Sequence, residues 1–138
     1  MPDRVYVAPY AAQEVVEQSG RVYSLGAILA GVAIVLGGRG RWAAHDYDTA
    51  LLIPGAPESW GYTLTTLGAL MLFGLMRGHR KLVMTASWGC ALWCWFFAVS
   101  VTVEVIQNPG VGYLGPVMWG TFGTLFIFRA MLHRKVFQ

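Results

Sequence analysis

The residues able to do chemistry in this chain are few and scattered. Cys90 and Cys94 stand four apart, which on a helix puts both thiols on one face, where the geometry for an intrahelical disulfide is poor. With no histidine beside them they do not make a zinc set, and they read as small apolar packing residues. His45, Asp46 and Asp48 form a compact group of metal-ligating types. Two carboxylates and one imidazole, with no helix or strand to frame them, read as a solvated loop rather than a metal site. Glu104 and Arg129 are the ionisable side chains that approach membrane depth in the apolar runs described next. They fall at opposite ends of their runs and so cannot pair within one chain. Glu104 is expected at one interface, and Arg129 is expected to snorkel to the headgroups at the other. No glycine-rich phosphate loop follows a strand and no nucleophile stands beside a base, so neither catalysis nor a cofactor is expected.

Four long apolar runs, 22–38, 59–76, 82–103 and 112–132, position these residues. A helix rises about 1.5 Å per residue and a bilayer's hydrocarbon core is about 30 Å thick, so each run is close to the length needed to cross it. Hydrophobic residues make up 56% of the 138, and charged residues only 12%. Soluble chains carry about 25% charged residues. The mean hydropathy is +0.51, and too little chain remains outside the runs to cover four of them in water. The expected fold is therefore all-α, an integral membrane four-helix bundle with a short N-terminal amphipathic helix. Residues 1–21 form the segment before the bundle, 22–132 the four-helix domain and 133–138 a basic tail. The acidic and basic residues before the first run are unlike a secretory leader, so that run is expected to be retained as a span.

Charge sets the orientation. Four crossings place the N-terminus, the second connection and the C-terminus on one side. That side holds Arg4, Arg21, Arg77, Arg80, Lys81, Arg129, Arg134 and Lys135, eight basic residues against Arg39 and Arg41 on the other. Both termini are thus expected in the cytoplasm of a bacterium, in its inner membrane. Arg77, Arg80, Lys81, Arg129, Arg134 and Lys135 act in this reading as inner-interface anchors. The net charge of +3 comes from these span ends, and no nucleic-acid partner is implied.

Before the first span, 10–19 reads as a short helix that Gly20 ends, with Ala11, Ala12, Val15 and Val16 on one face and Gln13, Glu14, Glu17 and Gln18 on the other. Within the spans, small residues recur at i,i+4: Gly26 with Ala30, Ala27 with Gly31, Gly74 with Gly78, and Gly120 with Thr124. This spacing lets helix backbones approach closely, and these eight are the candidate helix-packing and oligomerisation residues. Trp93 and Trp95 lie deeper than an interfacial aromatic belt, where they are placed to meet a partner helix. The second connection is only a few residues long, so the second and third spans must form a tight antiparallel hairpin.

The overall plan, together with Pro57-Glu58-Ser59-Trp60-Gly61, Arg77-Gly78-His79-Arg80-Lys81 and the basic Arg134-Lys135, resembles the holin-like four-span membrane proteins of actinobacterial phages. Many holins have fewer spans and a more highly charged tail. The resemblance implies a protein that accumulates in the inner membrane, self-associates and opens lesions through which an endolysin reaches the cell wall. It carries over no catalytic residues. The implied partners are the lipid bilayer and further copies of the chain. The alternative from the same residues is a non-enzymatic accessory subunit docked on a membrane-protein partner, including a role in superinfection exclusion; a small channel ranks lower for want of polar pore-lining residues.

Overall fold

The computed structural model describes residues 10–42, 47–108, 110 and 112–136. Among them the chain is all-helical: α1 (Tyr10–Trp42), a single short turn α2 (Asp48–Leu51), α3 (Glu58–Met76), α4 (Arg80–Gln107) and α5 (Leu114–Val136). The long helices fall where the apolar runs do. Their ends follow local chemistry. Pro57 precedes α3, whose first turn carries Glu58 against the positive end of the helix dipole. Gly78, at φ +67°, turns the chain between α3 and α4, a conformation that other residues adopt with strain. At the end of α4, the Asn108 backbone N–H donates to the Glu104 carbonyl, and Pro109 follows in sequence.

One helix boundary differs from expectation. Gly20 does not stop a separate amphipathic helix; α1 runs through it without a break, and its non-helical backbone comes only at Gly38. The physical reason lies in packing. A methyl group on Gly20 would collide with the Arg129 guanidinium and press on Leu75, so glycine is there to let α5 and α3 approach. The apolar stripe of the first turns is also spent differently: Val16 is buried, whereas Ala11 and Val15 are exposed. Likewise residues 133–136 are not a detached tail, because α5 continues to Val136.

The four long helices run up and down around a ring, each beside its neighbour in sequence. α1 lies closest to α3. A methyl on Gly61 would stand 2.5 Å from the Gly31 carbonyl oxygen, and one on Gly68 would stand 2.9 Å from the Ser24 carbonyl oxygen. No side chain fits there, so backbone meets backbone through Gly31, Gly61 and Gly68. The α3–α4 hairpin closes over Gly74, where a methyl would lie 2.9 Å from Val83. Between α4 and α5, Gly123 makes room for the Trp95 ring. The centre of the bundle is aromatic: Trp93 stacks on Phe97 with centroids 4.3 Å apart, and Trp60 and Trp119 meet Phe97 at 4.8 and 5.5 Å. Trp93 thus finds ring partners inside the chain, Phe97 and Trp119.

The glycine contacts make a direct prediction. Gly31→Leu should lower the thermal midpoint measured by circular dichroism in mild detergent, by at least the roughly 1–3 kcal/mol typical of an overpacked core. Gly26→Leu, where an added Cβ meets nothing within 4 Å and the α1–α5 groove leaves room beyond it, should leave the midpoint nearly unchanged.

Candidate functional site

At the end of the bundle that gathers the start of α1, the α3–α4 turn and the end of α5, a basic group is buried. Arg129 is only 2% exposed. Its guanidinium lies on the bare backbone of Gly20 and beside Leu75, and Nε, Nη1 and Nη2 find no hydrogen-bond partner among the described residues. Glu17, on α1, is the carboxylate near enough to act on its charge. The expected snorkelling is therefore corrected: Arg129 turns inward between α1 and α3 because Gly20 leaves it space.

One turn further along α5, His133 is buried too and lines a crevice of about 150 Å³ with Glu17, Gly74, Gly78 and Arg80. His133 lies one residue beyond the expected 112–132 span. Burial first, and then the Arg129 and Arg80 charges, push its imidazole down from 6.5 to about 4. The ring is thus neutral near pH 7, which spares this end of the bundle a second buried positive charge beside Arg129.

Above Arg129 the seam between α1 and α5 stands open. Tyr23 and Phe126 touch across it with ring centroids 5.6 Å apart. That ring pair forms one end of an apolar groove of about 410 Å³, lined further by Gly26, Ala27 and Ala30 of α1, by Met118, Trp119 and Phe122 of α5, and by Leu64 and Cys94. A shallower groove of about 460 Å³ runs between α4 and α5 along Trp95, Gly120 and Thr124.

The small residues singled out in the sequence are thus put to different uses. Gly31 and Gly74 are consumed by packing within the chain, and Ala27 is buried with them. Gly78 forms the turn. Gly26 and Ala30 border the α1–α5 groove, and Gly120 and Thr124 border the other. Of the expected anchors, Arg77, Arg80, Lys81, Arg134 and Lys135 are exposed, with the Arg77 guanidinium 5.3 Å from the Phe73 ring centroid. Glu104, at the opposite end from Arg129, is 4% exposed and accepts a 3.3 Å hydrogen bond from Asn108 Nδ2. Cys90 and Cys94 are free thiols in the core. His45 and Asp46 lie outside the described residues, and among those described no set of three or more His, Cys, Asp or Glu is placed to hold a metal. Sequence reasoning did not find Gly20, Gly61, Gly68 or His133. Gly61 and Gly68 stand seven apart, two helical turns on one face, and that spacing was the available signal.

Compared with protein-family models, with curated proteins and with solved structures, the chain matches none.

His133 sets a pH dependence with a definite sign. Between about pH 6.5 and 4 the unfolded chain binds a proton that the folded chain refuses, so stability is full above this window and falls as the pH drops through it. Thermal midpoints taken across pH 4–7.5 should decline on acidification, and His133→Gln should remove much of that slope.

Proposed function

We propose that this chain is a four-span protein of the bacterial inner membrane with both termini in the cytoplasm, and that it acts as a holin-like permeabilising protein by self-association. The observation that carries the membrane placement is the exterior. Leu29, Leu36, Phe73, Leu92, Phe96, Val99, Phe122 and Phe128 all face outward, far more than the scattered apolar residues of a water-soluble surface. Two helices, through Tyr10–Gly38 and Arg80–Gln107, are long and apolar enough to cross a membrane. α3 and α5, at 19 and 23 residues, reach about 28 and about 34 Å, against a core of about 30 Å.

The polar side chains along the helices fit the same reading. Ser24, Thr63, Ser87, Ser100, Thr102, Thr121 and Thr124 each donate their hydroxyl to the carbonyl four residues earlier on their own helix. Such back-bonding satisfies a hydroxyl where water is scarce.

Self-association is supported by the α4–α5 groove, which the half-buried small residues Gly120 and Thr124 border. The described bundle is filled with aromatic and aliphatic side chains, so permeability would arise from assembly of many copies and not from a channel through one. The reading assigns no catalytic residue and no cofactor.

Induction of the chain alone in a bacterial host should collapse the membrane potential abruptly after a delay, with lysis only when an endolysin is co-expressed. Stable insertion with normal potential and growth would overturn permeabilisation and leave the accessory-subunit alternative.

A further inference from the structure

Burial of Arg129 works against the packing that produces it. Its guanidinium lies between Gly20 of α1 and Leu75 of α3, and Nε, Nη1 and Nη2 have no hydrogen-bond partner among the described residues. An arginine stays charged, so it cannot escape desolvation by losing a proton. Glu17 is the carboxylate near enough to act on that charge, but it is exposed and makes no hydrogen bond to it. A buried charge left without a bonded partner destabilises the arrangement that buries it.

The cover over this charge is lightly held. From Tyr10 to Gly20, only Val16 and Gly20 are buried. The side-chain hydrogen bonds of Gln18 to Glu14 and of Ser19 to the Val16 carbonyl stay inside the segment. A segment with so few buried apolar contacts opens more readily than the whole fold. Its natural hinge is Gly20 itself. The Ser24 hydroxyl donates to the Gly20 carbonyl at 2.7 Å, and glycine–serine pairs of this kind are where helices bend. Past the hinge, α1 is fastened: Ser24 and Gly31 meet Gly68 and Gly61 of α3, and Tyr23 meets Phe126 of α5. A polar layer is also close at hand. Glu17, Gln18 and Arg21 are exposed on α1, and exposed Arg77 follows Leu75 at the end of α3. In the membrane placement proposed above, the inner headgroups therefore run past Gly20, within reach of a snorkelling arginine once its cover lifts.

We propose that Tyr10–Ser19 is a latch hinged at Gly20: closed, it holds Arg129 inside the bundle, and open, it lets the guanidinium swing out to the inner headgroups and water. This rests on the membrane placement proposed above. The closed form buries Val16 together with an unpartnered charge, and the open form exposes Val16 but solvates that charge. Opening frees this end of α5 and leaves Tyr23 with Phe126 as the next ring contact across the seam. Because the charge opposes closure, an apolar side chain of similar length in place of Arg129 tightens the latch. For a side chain that merely filled space, the same exchange would loosen it.

The test uses the full chain in lipid nanodiscs, with alkaline carbonate extraction of the cell membranes run first. Recovery in the soluble fraction would overturn the membrane placement, and with it the headgroup destination of Arg129. For protein that stays with the membrane, p-hydroxyphenylglyoxal is added and modification of each arginine is followed by peptide mass spectrometry. The closed form buries the Arg129 nitrogens, so their modification counts openings. Arg129 should react measurably but more slowly than exposed Arg134. Gly20→Ala, whose methyl would collide with the guanidinium, should speed Arg129 at least tenfold and leave Arg134 unchanged. Once lifted, so short a helix frays, so amide hydrogen exchange over 10–19 reports the same opening, and Arg129→Met should slow it at least tenfold. Circular dichroism establishes that each variant is folded; if one is not, the other and the wild type decide. Arg129 modified as fast as Arg134, or untouched when Arg134 has fully reacted, would overturn the latch. So would an unchanged Arg129 rate in folded Gly20→Ala, or unchanged or faster exchange in folded Arg129→Met.

Discussion

The close approach of α1 to α3 governs the rest of this structure. Three glycines, Gly31, Gly61 and Gly68, let the two backbones meet where no side chain fits. Once α1 is drawn onto α3, it stands away from α5 along much of its length. The α1–α5 seam then closes where Tyr23 meets Phe126, and a groove opens beside them. Gly20 continues the same bare face of α1, and there the gap is taken by a side chain from α5, Arg129. Groove and buried charge thus share one cause.

The interior and exterior of the bundle are both apolar, yet they are ordered by different forces. Inside, rings pack against rings: Trp60, Trp93, Phe97 and Trp119 form a fixed aromatic centre, and such pairs add to area burial through their preferred geometries. Outside, large side chains face away from the core, and hydroxyls turn back to their own helices. In lipid, association between helices draws on packing and small residues more than on the hydrophobic effect. The glycine contacts supply that packing within the chain, and Gly120 and Thr124 stay half-buried beside the α4–α5 groove.

Much of this was legible in the residues. The four apolar runs gave the four long helices, and the few residues between 76 and 80 dictated a tight α3–α4 hairpin. Helix ends were harder to read. Gly20 carries the composition of a helix stop, but its role is set by a residue 109 positions away, which no local pattern reveals. The same limit hid the fate of Arg129: a basic residue one turn from a span's end snorkels by default, unless a glycine on another helix makes space for it. Trp93 stood out as too deep for an interfacial belt, and its ring partners are Phe97 and Trp119 of the same chain. Small-residue spacing picked out Gly31 and Gly74, which pack closely, together with Gly26, where an added Cβ meets nothing within 4 Å.

The central claim is that this bundle crosses the membrane four times with its Arg129 end in the cytoplasm. It is tested most directly by single-cysteine labelling in a Cys90→Ala, Cys94→Ala background, using a membrane-impermeant maleimide on intact cells. Leu52→Cys and Gly110→Cys should label in intact cells, and Gln13→Cys and His79→Cys only after permeabilisation. Labelling of Gln13→Cys or His79→Cys in intact cells together with Leu52→Cys would contradict the four-span arrangement.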